Sequence, residues 1–381
     1  MGNYIKPLSA GVALIASDST WIEGKAIQQL QTTAELDGMC RVVGLPDLHP
    51  GRGYPVGAAF FSVGRFYPAL VSNDIGCGMA LWETGLAPGK LSADKLEKRL
   101  GNLDLPLDET WSDCIEALDL PAREHWRALG TIGGGNHFAE LQQVETVFDQ
   151  AALHALGLDA GRLQLLVHSG SARSRPGDPA RTGQPAWPRR PCSTAAWKLP
   201  PTLARHADAL RFAERNRQLI ARRILERLRC DGLELLDINH NLVAPAQVDG
   251  VDGWLHRRAP PRPTQGVLVI PRLARRVQLP GGACADARRA LFSLAHGAGR
   301  KWQRGECRER LAARFSVDQL GRTRLGSRVI CGDRQLIYEE APEACKGIDS
   351  VVGAVARSRP AAPGRPPEAG ADLQTRGECC R

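Results

Sequence analysis

The chain lacks any run of about eighteen apolar residues, the length a helix needs to cross a bilayer. Met1 to Thr20 has neither the basic start nor the sustained apolar stretch of a secretory leader. Neither a membrane span nor export is expected, and the expected location is the cytoplasm. A CxxC pair and internal repeats are also missing. The eleven cysteines are irregularly spaced, and in a long leaderless chain they read as thiols, one of them a candidate ligand, instead of a disulfide framework. Cys379-Cys380 forms no prenylation box and is expected to be an exposed inert pair.

With 381 residues and 43% apolar content, the chain is expected to be globular with a substantial core. A net charge of +9 points to a polyanionic partner, because clustered Lys and Arg attract phosphate over long range. Most of that surplus, however, sits in three Arg/Pro/Ala-rich windows near 172–197, 272–276 and 355–374, which hold eleven arginines against the acids Asp178, Glu368 and Asp372. The charge is therefore poor support for a dedicated RNA groove. Proline and glycine recur without apolar periodicity over Ala172 to Trp197 and Ser358 to Pro367, so both are expected to be loop or disorder.

Ala10 to Ile15, Arg41 to Leu45, Val56 to Val63 and Ala69 to Ser72 read as strands joined by Pro/Gly loops. Asp74 to Cys77 is thereby placed in a loop leaving a buried strand. A strand at Met79 to Trp82 and a helix-like stretch from Ser92 to Leu100 follow. Leu163 to Val167 and Leu233 to Ile238 read as strands ending at His168 and at Asn239-His240, so both histidines are expected just past strand ends, where chemistry is commonly carried. Asp208 to Arg229 is the clearest helix, with Leu210, Ala213, Ile220, Ile224 and Leu228 at near-helical spacing. Its Arg215, Arg217 and Arg222 read either as a solvated face or as phosphate contacts.

Five short segments place a histidine, cysteine or aspartate beside glycine or asparagine. They are Asn73-Asp74-Ile75-Gly76-Cys77-Gly78, Gly133-Gly134-Gly135-Asn136-His137, His168-Ser169-Gly170-Ser171, Asn239-His240-Asn241 and His296-Gly297-Ala298-Gly299-Arg300. Asp74 and Cys77 can reach one or two cations from a single tight turn, and mixed O/S/N ligation suits manganese, zinc, iron or cobalt. The triple-glycine loop either cradles phosphate on its N–H groups, with Asn136 as donor and His137 as ligand, or is a plain turn before a strand. His168 to Ser171 fits a metal arm, a phosphate-holding turn or an ordinary turn. The amides around His240 can orient it or hold a ligand. At His296, small residues clear space round an imidazole and Arg300 stands four residues on, which suits attack on phosphorus or, again, a plain turn. From chemistry alone the set reads as a metallo-active site that binds phosphate, and a metal-dependent phosphoesterase would satisfy it.

Taken in order and over nearly the whole length, the motifs resemble the RtcB family of RNA-splicing ligases. The matching stretches are Pro46-Asp47-Leu48-His49-Pro50-Gly51, Asp74-Ile75-Gly76-Cys77-Gly78, Gly130-Thr131-Ile132-Gly133-Gly134-Gly135-Asn136-His137-Phe138, His168-Ser169-Gly170-Ser171, His240-Asn241, His296-Gly297-Ala298-Gly299-Arg300 and Glu340-Ala341-Pro342-Glu343-Ala344. The resemblance implies an α+β fold: one RtcB-like domain over 1–381 with mixed sheets and a metal cleft at strand ends. It implies two manganese ions, with Cys77 bridging, Asp74 and His137 completing one site, and His168 and His240 the other. His296 is then the nucleophile toward the α-phosphorus of GTP. GMP passes to an RNA 3′-phosphate and is displaced by a 5′-hydroxyl, a 2′,3′-cyclic phosphate being opened first by hydrolysis. The implied guanylate contacts are Asn136, His137, Phe138, Ala139, Glu140, His240, Asn241, His296, Gly297, Ala298 and Gly299. The modest length, Lys301-Trp302 and the Cys379-Cys380 end are more similar to the branch associated with a peptide release factor, with damaged ribosomal RNA as target, than to the longer form acting on cleaved tRNA. A monomer is expected.

Three departures stand out. Where the family has a Pro-Gly-Ser guanine-contacting loop, this chain has Pro271-Arg272-Leu273-Ala274-Arg275-Arg276; after the His-Ser-Gly turn it has Ser171-Ala172-Arg173 in place of Ser-Arg-Gly; and a guanine-binding lysine near the C-terminus is replaced by Gln374. All three coincide with the basic windows. In GC-rich codons a one-base shift turns Gly-Ser-Arg-Gly into Arg-Leu-Ala-Arg, and Lys-Pro-Val-Leu-Thr-Tyr-Lys into the Glu368 to Gln374 stretch, so local frameshifts are expected. As written, the polypeptide reads as a ligase, weakened or dead, with a non-catalytic RNA-binding relic as the alternative. Resequencing the gene should reveal single-base changes that restore the family's residues in each window; a confirmed nucleotide sequence with no restoring change overturns the frameshift account.

Overall fold

The computed structural model describes the chain apart from residues 1–3, 72–73, 91, 119, 121–126, 148–149, 172–191, 194–198, 262–267, 270–276, 280–286, 323–327, 349, 352–370 and 381. Alternating apolar residues and glycine turns build two mixed sheets. The first runs, edge to edge, Ile5–Ser9, Val12–Ile15, Met39–His49, Val56–Ser62, Val251–Arg258, Asn241–Val248. Its one parallel pair, Val12–Ile15 beside Met39–His49, needs a crossover, and the helix Gly24–Ala34 supplies it, burying Ala26 and Leu30 against Val12, Leu14, Val42 and Phe60.

The second sheet runs Gly232–Asn239, Gly78–Thr84, Leu163–Ser169, Phe138–Val147, Ala371–Cys380, Val277–Leu279, Leu268–Val269, with Val329–Ile330 beside Ala371–Cys380. Along Gly78–Thr84 side chains alternate between faces: Ala80 and Trp82 join one core cluster, Met79 and Leu81 another. The helix Leu199–Leu228 covers the first face with Ile220, Ala221, Ile224, Leu225 and Leu228, each buried Leu or Ile contributing about 1.5–3 kcal/mol. The two sheets meet at Asn239-His240-Asn241, where the chain leaves the edge strand of one for the edge strand of the other. The fold is thus a single α+β domain with mixed sheets.

Several local expectations change. Ala69 to Ser72 is not a strand: Pro68–Val71 forms a 3₁₀ turn that buries Leu70 and Val71, because a short apolar run fits one tight turn as well as a strand. Asp74 to Cys77 therefore leads into a strand instead of leaving one. His168 lies inside Leu163–Ser169, not past its end, and the long helix begins at Leu199, earlier than Asp208. Of the three windows, 172–191, 194–198, 272–276 and 355–370 lie outside the described residues. Cys192–Ser193 pairs with Arg65–Phe66, and 371–374, expected as part of an irregular window, opens the strand Ala371–Cys380. Among the described residues no helix is long and apolar enough to cross a membrane.

Two buried histidines serve as hydrogen-bond acceptors in this frame. The Tyr67 N–H donates to His256 Nε2 at 2.9 Å, and the Val243 N–H donates to His206 Nε2 at 3.1 Å. Burial pushes His256 from the usual 6.5 down to about 3 and His206 down to about 4. Since both folded values lie below the unfolded one, the unfolded chain takes up protons first as pH falls. Stability is complete above 6.5 and declines to about pH 4 for His206 and about 3 for His256, by roughly 2 kcal/mol per histidine at pH 5. Urea unfolding at pH 7.5 and pH 5 should show this loss, reduced by about 2 kcal/mol in His256→Gln; an unchanged pH dependence in that variant counts against the assignment.

Candidate metal centre

Strand register gathers the predicted ligands. Gly78 is paired with both Ser169 and Asn239, and His168 with both Met79 and Phe138. The adjoining Cys77, His137, His168 and His240 thus share one end of the second sheet, and the turn before Cys77 adds Asp74. The Cys77 Sγ lies 3.2 Å from Nε2 of His168 and of His240, and 3.5 Å from His137 Nε2. His168 and His240 Nε2 are 3.3 Å apart, and Asp74 Oδ2 is 3.1 Å from His137 Nε2. Cys77, His168 and His240 form one set of ligand atoms within 4.8 Å of one another, and Asp74, Cys77 and His137 another; Cys77 belongs to both.

The chemistry of this donor set fits a metal ion. His168 Nδ1 is 2.8 Å from the Asn136 carbonyl oxygen, which can only accept, so Nδ1 carries the proton and Nε2 presents a lone pair to Sγ and to His240. Burial first, then the neighbouring imidazoles, hold His168 and His240 well below the usual histidine range, so both are neutral. Neutral imidazoles, a thiol and a carboxylate suit a divalent ion of intermediate softness, whose binding would displace the thiol proton. Gly170 makes the approach possible: a Cβ there would lie 2.2 Å from Asp74 Oδ1 and 3.0 Å from Cys77 Cα.

Arg217 ties the ligand segments together. Fully buried, it donates from Nη1 to the carbonyls of Gly76 (2.7 Å) and Ser169 (2.9 Å), from Nη2 to Asn239 Oδ1 (2.7 Å) and from Nε to Asp237 (2.8 Å). Gly76, Ser169 and Asn239 adjoin Cys77, His168 and His240. Arg217 is therefore neither a solvated nor a phosphate-contacting residue, whereas Arg215 and Arg222 are exposed. Asp237 is pushed up to about 6 by burial, against the pull of Arg217. Neighbouring Asn216 accepts from the Gly130 N–H at 2.8 Å and donates to Ser169 Oγ at 3.1 Å, extending the tie to the glycine-rich loop.

Beside the metal set a cleft of about 580 Å³, ample for a nucleotide, continues to His296. The His296 ring lies 4.4 Å from that of His240, centroid to centroid, at 34°. Its Nδ1 is 3.0 Å from Asp47 Oδ2, an ion-pair distance without the alignment of a good hydrogen bond, and its backbone N–H donates to the same oxygen at 3.2 Å. Burial works to raise the pKa of Asp47, but His296 outweighs it and holds the carboxyl below its usual range. Gly299 (φ +72°) passes so close that a Cβ would lie 2.4 Å from the Asp47 carbonyl oxygen, an approach open only to glycine.

All the predicted site residues line this cleft except Ala139, whose side chain faces the core with Ala80, Trp82 and Val167. Glu140 is buried and accepts from Gln142 Nε2 at 3.2 Å. Asn241 donates its amide to the carbonyls of Val71 and Asp74, bracing the ligand turn. Arg300 is engaged by Glu340 and by the Glu339 carbonyl. Ala172, Arg173 and Pro271 to Arg276 lie outside the described residues, and Gln374 pairs through its backbone with Thr146. Asp47 and Arg217 escaped assignment by sequence. The signal for Arg217 was its place between Ala213 and Ile220 on the apolar side of the helix, and Asp47 stood in a matched motif.

Comparison with known proteins follows the same lines. The family model described as tRNA-splicing ligase RtcB matches residues 29–113, 116–174 and 203–360, passing over most of the first window and stopping inside the third. The RNA-splicing ligase RtcB2 of Escherichia coli is 52% identical over 361 residues, covering 92% of each chain. The RNA-splicing ligase RtcB of Mycobacterium bovis is 28% identical over 421 residues, 86% of this chain and 95% of that one. The tRNA-splicing ligase RtcB of Aeropyrum pernix is 25% identical over 441 residues, 91% of each.

Calorimetric titration with Mn²⁺ should show uptake that Cys77→Ala abolishes. Arg217→Lys, which cannot serve all four acceptors, should weaken it by about 10–100-fold, the usual effect of losing a group that orients metal ligands. Equal affinity in all three proteins refutes the centre.

Proposed function

The chain belongs to the RtcB family, and from that premise we propose that it is a GTP- and manganese-dependent RNA ligase joining 3′-phosphate or 2′,3′-cyclic phosphate ends to 5′-hydroxyl ends. The observation that carries this reading is the place of His296, held by Asp47 on one side and lying tilted against His240 of the metal set on the other. With Nδ1 turned to Asp47, Nε2 is the nitrogen left to form a bond. It attacks the α-phosphorus of GTP, the bond to pyrophosphate breaks, and the positive charge gained by the ring is stabilised by the Asp47 carboxylate. An oxygen of the RNA 3′-phosphate then takes the guanylyl group from His296. Finally the 5′-hydroxyl attacks the activated 3′-phosphorus and GMP leaves.

Two manganese ions, one held by Asp74, Cys77 and His137 and the other by Cys77, His168 and His240, would polarise the phosphoryl oxygens as Lewis acids. Asn136, Phe138, Glu140, Asn241 and Gly297 to Gly299, which line the cleft with His296, are the proposed guanylate contacts. We assign the protein to the cytoplasm as a one-domain monomer, working in the branch linked to a peptide release factor with damaged ribosomal RNA as substrate and cleaved tRNA as the alternative. The departures at Ala172-Arg173, Pro271 to Arg276 and Gln374 favour one second reading, a non-catalytic RNA-binding relic.

Incubation with Mn²⁺ and GTP labelled at the α-phosphate separates these readings. We expect acid-labile label on the protein, absent in His296→Ala and formed roughly 10²-fold more slowly in Asp47→Asn. Phosphate release without label would mark a phosphoesterase, and neither outcome would mark a relic.

A further inference from the structure

We propose that Lys346 is a positioning residue for the Asp47–His296 pair, a buried lysine that fastens the strand end carrying Asp47 to the glycine loop carrying His296. The proposal rests on His296 being the nucleophile. Lys346 is 3% exposed and is absent from the cleft lining, so it touches no substrate. Its ammonium donates to the carbonyl of Leu48, the residue after Asp47. Its own backbone N–H donates to the Gly299 carbonyl at 3.0 Å. Lys301 N–H donates to the Ala344 carbonyl at 2.8 Å and Arg300 bridges Cys345 in antiparallel sense, so residues 344–346 lie along 299–301. One residue thus ties Leu48, next to Asp47, through its side chain to Gly299, three residues after His296, through its backbone, on the two limbs that Gly299 brings into contact.

The charge itself needs a reason, because burying an ammonium costs several kcal/mol and an aliphatic side chain would fill the space. Burial pulls Lys346 down to about 8, while Asp47, and after it Glu23, oppose the shift. At neutral pH the amine therefore remains mostly protonated, and it attracts the buried carboxylate that must stay ionised to hold His296 Nδ1. Small displacements matter here: misplacing a reacting atom by about 1 Å costs up to 10²-fold in rate. The same segment contains Glu340 to Ala344, a family-like motif that the proposed chemistry does not otherwise use.

The test compares wild type, Lys346→Met and Lys346→Arg, each first shown to be folded by circular dichroism. Two readouts follow: self-guanylylation with labelled GTP, and the downfield proton of His296 Nδ1 in ¹⁵N-histidine-labelled protein, assigned by its loss in Asp47→Asn. We expect Lys346→Met to guanylylate about 10–100-fold more slowly at saturating GTP, with the KM for GTP and the Mn²⁺ affinity within about threefold of wild type and the Nδ1 proton signal weakened. Lys346→Arg should recover part of both. A folded Lys346→Met with the wild-type rate and an unaltered proton signal overturns the proposal. If wild type takes no label, the ligase reading fails, and the proton signal alone still decides the role of Lys346. Should Lys346→Met not fold, Lys346→Gln, which keeps a donor for Leu48 but loses the charge, is judged by the same two readouts.

Discussion

Arg217 carries a full positive charge inside the protein, and its hydrogen bonds set where three of the five candidate ligands begin. Desolvating such a group costs several kcal/mol, and the cost is offset only if every arm of the fork finds an acceptor. Here the arms find the carbonyls of Gly76 and Ser169 and the side chains of Asp237 and Asn239. A flat, rigid fork is suited to this in a way an ammonium is not. The arrangement adds little net stability over a well-packed apolar alternative; what it supplies is geometry, because three chain segments from separate parts of the sequence are held at fixed distances from one guanidinium.

The same charge also acts on protonation. Burial is the main reason His240 stays neutral, but the neighbouring imidazoles and Arg217 add to it. A lone pair is thus available at neutral pH on the residue that joins the two sheets. On the far side of that imidazole the polarity reverses: His296 is paired with buried Asp47. The cleft therefore runs from the neutral imidazoles of His168 and His240, suited to a cation, to an imidazole backed by a carboxylate, suited to gaining positive charge. That gradient is built into the fold before any ligand enters, which is what preorganised electrostatics requires.

Strands were legible where period-two alternation or a long apolar run was unambiguous, as at Val56–Ser62 and Gly78–Thr84. The long helix was legible from its apolar stripe, although its start was not. Ala69 to Ser72 was misjudged because three apolar residues satisfy a turn as well as a strand. The candidate ligands could be named from local glycine and asparagine contexts and from family resemblance, but their convergence depends on register between strands far apart in sequence, which no local pattern encodes. Asp47, Arg217 and Lys346 were hidden for a common reason: each is a charged residue whose buried partner lies more than fourteen positions away in sequence, Asp237 being 20 residues from Arg217 and Leu48 298 from Lys346. Charge read along a chain looks solvated until tertiary structure supplies the partner.

The candidate metal ligands and the departures from the family pattern lie on different stretches of this chain. The candidate ligands stand on or beside strands paired at one end of the second sheet, and Arg217 of the long helix fixes the adjoining segments, so their geometry depends on the sheet and that helix together. The departures from the family's guanine-contacting residues fall elsewhere, in segments that contribute none of those ligands. The family match spans every candidate ligand and His296 and also Ala172-Arg173 and Pro271 to Arg276, whereas Gln374 lies past its end at 360. On the proposed reading, a chain altered in those segments retains the candidate ligands and the His296–Asp47 pair, while its contacts to the base of the nucleotide change.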